Sequence, residues 1–458
     1  MAVQRFDAAT ALFKRVYWPG TIDMLHEDTP GLSLLKKSPK NLWSGSAIYM
    51  NARTGRNRSY RPTDGETNEA AAMPTTGRQA YSNWVVGCVM IHGSGGVTAF
   101  GEAASKSSVG AYEDMLKKEL QGVSVDVQKD LEIDFFGTEL GILARVNGEP
   151  GAGANPVVTL DQAQSLVAWD AYGNKLFSPN MLVDFVNQAN GAINVAGATV
   201  GSVASANRTQ ITMAAAAGLD AILDNDLVVR AGTLTDTGDD TTNPGFAFCG
   251  LESGLFNPNV ATLPAVGVAA QFELDILQGI NRNTAGNEFA HATVIDKANA
   301  ALLRSDLNNL AARIGHRGQA YPDYFLCHDS VQFAIADLMA DSQRYQPQEF
   351  PGGFKSTSLL WNAGYKDIPI IVARECPYDT LYALEKDSIE FASLVDFELI
   401  ETDGSVLRQD SGGGDVWNFN WRLFGNMVWR APNRCGKLVQ IGAADEGFGP
   451  GAGRLYDF

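Results

Sequence analysis

SAIYMNARTGRNRSYRPTDGETNEAAAMPTTGRQAYSNWVVGCVMI, residues 46–91, is the stretch from which the fold is read. Its ends, Ser46–Met50 and Tyr81–Ile91, are rich in aromatic and β-branched residues and read as strands. Between them lie roughly thirty polar residues that offer no core and would be expensive to close as a loop of a compact domain. The spacing therefore predicts a long extended hairpin, ordered by neighbouring subunits; a solvated surface loop is the plainer alternative. Four arginines stand in it, Arg53, Arg56, Arg58 and Arg61. On an extended strand Arg56 and Arg58 share one face, and Arg53 and Arg61 the other. They suit salt bridges across a subunit boundary, to Asp64, Glu66 and Glu69 of neighbouring copies. Solvated charges and direct DNA contact are the other readings. Aromatic platforms for stacking single-stranded bases are few, with only Tyr49 and Tyr60 nearby.

Downstream, Val109, Tyr112, Leu116, Leu120, Val123, Val127, Leu131 and Phe135 recur at steps of three and four. That is one face of an amphipathic helix from about 108 to 136, ended by Phe136-Gly137. Gly122 in its interior costs ~1 kcal/mol against Ala, so tertiary packing must hold it. The segment 138–158, with NGEPGAGANP, reads as a linker. Short strands follow at Val157–Leu160, Leu166–Ala168, Met181–Phe185, Gln210–Met213 and Leu227–Arg230, a small inserted β subdomain. A second helical pattern comprises Val294, Ala298, Leu302, Leu307, Leu310 and Ile314. Asp323–Cys327 reads as a strand, Ser330–Met339 as a helix, Ile368–Ala373 as a strand and 380–442 as strands throughout. Strands alternating with helices predict a mixed α/β layer covered on both faces.

Upstream, residues 1–40 carry two short apolar clusters, Ala11-Leu12-Phe13 and Leu32–Leu35, too little to bury themselves, and read as an arm lying on another surface. Net charge is −17, which argues against general attraction to nucleic acid. Residues 1–60, with nine Lys and Arg against four Asp and Glu, run the other way. No apolar run reaches the ~18 residues of a membrane span, and no signal-like core opens the chain. Five scattered cysteines, Cys88, Cys249, Cys327, Cys376 and Cys435, form no CxxC and read as small buried hydrophobes.

Chemistry-bearing motifs are missing. GAGAN at 151–155 lacks GxGxxG spacing, and Gly436-Lys437 runs into Leu438 with no phosphate loop before it. The histidines, at 26, 92, 291, 316 and 328, never fall in HxxxH or HExxH, and adjacent Cys327 and His328 would point to opposite strand faces. There is no GxSxG elbow and no distinguished carboxylate pair. The expectation is a protein that is not an enzyme, with no cofactor and no metal.

In order and spacing the chain resembles the major capsid proteins of tailed double-stranded DNA phages, whose fold encapsulin shells share. The stretches that carry the resemblance are TGRNRSYRPTDGE, RQAYSNWVVGCVMIHG, DMLKKELQGVSVDVQKDLEIDFFG, YPDYFLCHDSVQFAIADLM, YKDIPIIVARECPYDTLYALEKDSIEFASL and WNFNWRLFGNMVWRAPNRCGKLVQI. The resemblance implies an α+β fold: an N-terminal arm (1–40), an extended loop (41–95), a peripheral domain around a long spine helix (96–157 and 386–458), an inserted β-rich subdomain (158–245) and an axial α/β domain (246–385). It implies a coat protein that self-assembles into an icosahedral virion shell around packaged double-stranded DNA, in the host bacterial cytoplasm, with an encapsulin-like shell around cargo protein as the alternative. Implied partners are copies of itself in pentamers and hexamers, a portal protein, a scaffolding protein, a cement or decoration protein, and DNA contacted without sequence preference; no membrane is implied. A chain opening Met1-Ala2, with no charged helical preface, suggests a separate scaffold.

The arginine stretch yields the first prediction. Replacing Arg56 and Arg58 together by Ala should leave melting of unassembled protein almost unchanged, since an exposed ion pair is worth only ~0–1 kcal/mol, yet lower particle yield because the pair repeats in every copy. Wild type at high salt should show the same defect. Thermal unfolding set beside particle yield across a salt series measures both.

Overall fold

A computed structural model describes residues 29–38, 43–55, 57, 59–60, 77–105, 115–151, 153, 155–161, 173–204, 208–216, 218–233, 247–259, 276–298, 300–338, 348–349, 355–356, 360–362, 366–401, 407–409 and 415–442. From Thr29 onward the first elements are α1 (Pro30–Leu34), β1 (Lys36–Lys37), β2 (Ala47–Gly55), β3 (Ala80–Gly87), β4 (Val89–Thr98), α2 (Ala99–Ser105) and α3 (Met115–Phe136). Then come β5 (Ile142–Arg145), β6 (Val157–Thr159), β7 (Leu182–Val186), β8 (Ile193–Val203), β9 (Gln210–Met213) and β10 (Leu227–Arg230). The short α4 (Leu251–Gly254), β11 (Ile276–Leu277) and β12 (Ile280–Asn281) lead into β13 (Thr293–Asp296), α5 (Arg304–Gly318), β14 (Tyr324–Cys327) and α6 (Asp329–Leu338). The remainder is β15 (Gln348–Glu349), β16 (Lys355–Ser356), β17 (Leu360–Asn362), β18 (Asp367–Val372), β19 (Leu381–Leu384), β20 (Ile389–Leu399), β21 (Arg408–Gln409), β22 (Val416–Trp429) and β23 (Gly436–Val439).

The chain divides into two units, one of residues 1–28, 92–129 and 397–422, the other of 29–91, 130–396 and 423–458. In the first, β4 runs against the face of α3 that carries Val123 and Val127. Its glycines permit the approach: a Cβ on Gly95 would stand 2.5 Å from the Phe419 ring and 3.0 Å from Val123, and one on Gly93 2.6 Å from Val127. Phe397 and Trp421 stack with centroids 4.5 Å apart, and Arg422 grips Glu398 through two nitrogens. The helix begins at Met115 among the described residues; Val109 and Tyr112 of the predicted stripe lie outside them.

In the second unit the inserted strands form a six-stranded antiparallel sheet in the order β5-β10-β7-β8-β9-β6. The first and last strands meet. Val146 bridges Leu160, the Asn147 N–H donates to Thr159 O at 2.8 Å, and the Asp161 N–H donates to Arg145 O at 2.7 Å. The sheet thus closes on itself, which removes the sticky edges of an open sheet. Its interior is apolar, with Val146, Val158, Leu160, Val183, Phe185, Val200, Ile211 and Val228 fully buried. A buried Arg145–Asp161 pair, 2.7 Å, fastens the seam.

Two expectations change here. Ile142–Arg145 is no linker but a barrel strand with all four residues buried, so a boundary at 157/158 cuts the barrel in two. A four-residue apolar run beside Gly and Pro is too short to announce itself; its pairing with β10 decides it. The 11-residue β8 was not foreseen because INVAGATVGSV is dominated by small residues. Leu166–Ala168 lies outside the described residues.

The other sheet runs β13-β23-β19-β14-β18-β17 and mixes parallel (β13/β23, β14/β18) with antiparallel pairs. Alternation along its strands sorts the faces. Phe325, Cys327, Leu381, Ala383 and Leu438 meet Leu307, Leu310 and Ile314 of α5 and Val331 and Ile335 of α6. The opposite face is covered as well: the Tyr382 hydroxyl donates to Glu252 at 2.6 Å, Lys437 pairs with Glu252 at 2.6 Å, and the Tyr382 ring packs 6.0 Å from Phe136. The second predicted helix is shorter than its pattern. It begins at Arg304, where Asp306 accepts the Leu303 N–H at 2.8 Å, whereas Val294 lies in β13 and Ala298 takes a left-handed φ of 46°. Val294 matched the helical spacing by chance; parallel pairing with Lys437 makes it a strand residue. The same pairing moves residues 436–439 out of the predicted peripheral domain and into the middle of this sheet.

Two acids, Glu132 buried and Glu139 half-buried, give the fold a pH dependence. Burial pushes both Glu132 and Glu139 up to about 7 from the usual 4.5, overriding two backbone N–H donors at Glu132 and the Arg282 charge at Glu139. A raised carboxyl pKa contributes stability that is complete below the unfolded value and lost as pH rises through the folded one. Melting temperature contributed by these groups should therefore fall between pH 4.5 and 7. Glu139→Gln should make that decline shallower, as read from thermal unfolding across the pH series.

Candidate assembly surfaces

The predicted hairpin is present: β2 and β3 pair antiparallel from Ala47↔Gly87 to Gly55↔Ala80. Strand alternation gives the ribbon two unlike faces. Inward, Ile48, Trp84 and Val86 are 1–2% exposed; Ile48 and Val86 pack on Ala392 and Val428, with Trp43 and Met50 at the margin, and the Trp84 ring lies 6.0 Å from Phe289. Outward, Tyr49 stands opposite Val85, Asn51 opposite Asn83 and Arg53 opposite Tyr81. Tyr49 and Tyr81 are each 64% exposed, and Val85 38%. Apolar groups exposed on a two-stranded ribbon have nothing of their own to cover them, and such patches mark contact surfaces.

Beneath the inner face lies a groove of about 440 Å³, lined by Ile48, Met50, Ala52, Trp84, Val428 and Arg430, among others. Trp84 is 2% exposed, and its indole N–H meets no acceptor among the described residues. The end of the predicted arm reaches the same place. Glu132 accepts the N–H groups of Gly31 and Leu32 at 2.7 and 2.8 Å, which fixes α1. β1 then pairs in parallel with β20, and buried Glu390 collects the Ser38 hydroxyl, Lys36 at 3.8 Å and Arg430 at 2.7 Å. Residues 1–28 lie outside the described residues.

Of the arginines and acids singled out in the sequence, Arg53 stands exposed on the outer face of β2. Arg56, Arg58, Arg61, Asp64, Glu66 and Glu69 lie outside the described residues. Sequence reasoning missed Tyr81, Val85 and Trp84. The signal was there in AYSNWVVG, where both alternating registers are apolar, the pattern of a strand covered on two sides.

His328 is buried. Its Nδ1 accepts the Ser330 N–H at 3.2 Å, and its ring packs 4.1 Å from Tyr378. Burial, with Lys175 and Arg374 near, pushes its pKa well down and keeps it neutral. Lys175, from the turn between β6 and β7, lies 4.7 Å over the other partner of that stack, Tyr378, and donates to Cys376 O at 3.0 Å. No cluster that could hold a metal and no helix long and apolar enough to cross a membrane occurs among the described residues.

No family model and no curated protein matches the sequence. Solved structures do match in three dimensions. The capsid of a native GTA particle is 8% identical, covers 97% of this chain and 100% of its own, and superposes with a TM-score of 0.50. The capsid of cyanophage A-1(L) is 12% identical over 95% and 98% of the two chains, with a TM-score of 0.49. The holo-SrpI encapsulin complex from Synechococcus elongatus PCC 7942 is 8% identical over 96% and 97%, with a TM-score of 0.44. The likeness to the GTA capsid is one of fold: an α+β architecture with mixed sheets, shared from end to end.

Trp84 gives a graded test of the hairpin root. Trp84→Phe removes an N–H that has no acceptor among the described residues and should change stability by less than ~1.5 kcal/mol, whereas Trp84→Ala removes the whole buried ring and should cost about 3–5 kcal/mol. Denaturant unfolding of unassembled protein distinguishes the two.

Proposed function

We propose that this chain, built on a capsid fold, is a coat subunit that self-assembles into a closed icosahedral shell around packaged double-stranded DNA, and that it is not an enzyme. The observation that carries the reading is the correspondence of fold over 97% of this chain and 100% of the GTA capsid chain, which leaves no large part of either without a counterpart.

The physics of the hairpin supports it. A ribbon with one face seated and the other offering Tyr49, Val85 and Tyr81 is suited to lie on a second copy. Head-to-tail contact of that kind closes into rings when the rotation allows, here pentamers and hexamers. Repetition then converts weak single contacts into a durable shell. Net charge of −17 suits a wall that meets DNA through scattered phosphate contacts and does not capture it before the shell is complete. Portal, scaffolding and cement or decoration proteins are the further partners this reading calls for. The hairpin arginines, Arg53 to Arg61, with Asp64, Glu66 and Glu69, belong to the subunit boundary in it.

Purified protein, alone or with an assembly helper, should sediment as rings or shells, and electron microscopy should show closed particles. A stable species near 49.1 kDa under all conditions would overturn the proposal. Nuclease treatment and mass spectrometry of intact particles identify the content: DNA is expected, and a cargo enzyme without DNA would mean an encapsulin-like shell instead. Tyr49→Ser with Val85→Ser should leave monomer melting within about 0.5 kcal/mol, as for exposed positions generally, while lowering shell yield severalfold.

A further inference from the structure

Beside the root of the hairpin stands a tight turn with one unusual residue. β11 and β12 pair as Leu277↔Ile280 and Ile276↔Asn281, so Gln278 and Gly279 form a two-residue turn with φ of 48° and 82°. Both angles are positive, the geometry that favours Asn-Gly and Gly-Gly. Gly279 meets it freely. Gln278 does not: a long side chain at positive φ is uncommon, and such strain persists where surrounding contacts over-determine it.

Those contacts are present. Gln278 is 8% exposed; its Nε2 donates to Met427 O at 2.8 Å and its Oε1 accepts the Trp429 N–H at 3.3 Å. Its own carbonyl accepts the Val85 N–H at 2.9 Å, from the middle of β3. One residue therefore joins the hairpin to the end of β22 through a side-chain amide on one side and a backbone carbonyl on the other.

We propose that Gln278 is the positioning residue that fixes the direction in which the hairpin is presented, and that breaking its two side-chain bonds frees the hairpin root and disorders assembly without unfolding the subunit. The assembly half of this proposal rests on the shell reading above; the tethering half does not. Removal of the amide leaves Met427 O and Trp429 N–H unsatisfied inside the protein, a penalty concentrated at this joint. The barrel and the β13–β23 sheet keep their own hydrogen bonds and cores.

The test uses the full unassembled chain, hydrogen exchange and two substitutions. Gln278→Asn keeps the amide but is one methylene too short to reach, and Asn tolerates positive φ better than Gln, so the turn survives while the tether goes. Exchange across Ala80–Gly87 should rise about tenfold or more, with Leu381–Leu384 and Leu227–Arg230 unchanged. Gln278→Glu can both donate and accept only while protonated. Corrected for the intrinsic pH dependence of exchange, its hairpin should be protected at low pH and released as the carboxyl ionises, while wild type shows no such step. Both variants at neutral pH should yield fewer or misshapen shells. Unchanged exchange, or equal loss in all three segments, would overturn the tether. Local release with normal shells would overturn its role in assembly. Wild type that never forms shells would count against the shell reading and the assembly half, with the exchange result still deciding the tether.

Discussion

Asn426, Met427, Val428 and Trp429, the last four residues of a 14-residue strand, hold four separate stretches of chain at once. Asn426 donates to Gly87 O at 2.9 Å and accepts the Cys249 N–H at 3.1 Å. Met427 and Trp429 take the two ends of the Gln278 amide, and Val428 lies under the hairpin. The Trp429 indole donates to Cys249 O at 3.2 Å and fills the space at Gly254, where a Cβ would stand 1.8 Å from the ring. Hairpin root, α4 region, tight turn and β20 are all placed against these four residues. They are far apart in sequence, so their meeting is a matter of long-range closure, and little of it can form before most of the unit has folded.

A two-stranded ribbon cannot be stable by itself in water, and here it is given one supported face only. The support is local and strong at the root, where Ile48, Trp84 and Val86 are buried, and it weakens toward Gly55 and Ala80, where the strand residues are half-buried or exposed. Rigidity at the root with an apolar outer face is the combination that makes an oriented contact surface: direction comes from the seat, adhesion from what remains uncovered. The barrel has the opposite character. Its sheet closes, its interior is filled, and half-buried Lys175, over Tyr378, links it to the α/β sheet.

The buried polar groups follow the same division. Glu132 and Glu390 each collect donors from the arm's last residues, so the arm is anchored by carboxylates that water cannot easily reach. Glu252 joins Tyr382 and Lys437 on the face of the mixed sheet opposite α5 and α6. In each case one acid satisfies two or more donors, which is what makes its burial tolerable.

Some of this was legible in the residues. The hairpin's strand ends, the helix face from Leu116 to Phe135, α6 and strands such as Gln210–Met213 and Leu227–Arg230 came from local periodicity, because a strand or helix with one apolar face declares its period. Closure of the barrel was not legible: Ile142–Arg145 and INVAGATVGSV have no local signature, and only hydrogen bonds between residues up to tens of positions apart make them strands. Nor was the placing of Gly436–Val439 between β13 and β19, or the start of the second helix at Arg304. Gln278 is the plainest case. In sequence it is one polar residue before a glycine; its strain, its burial and its three backbone partners exist only once β3 and β22 have been brought to it.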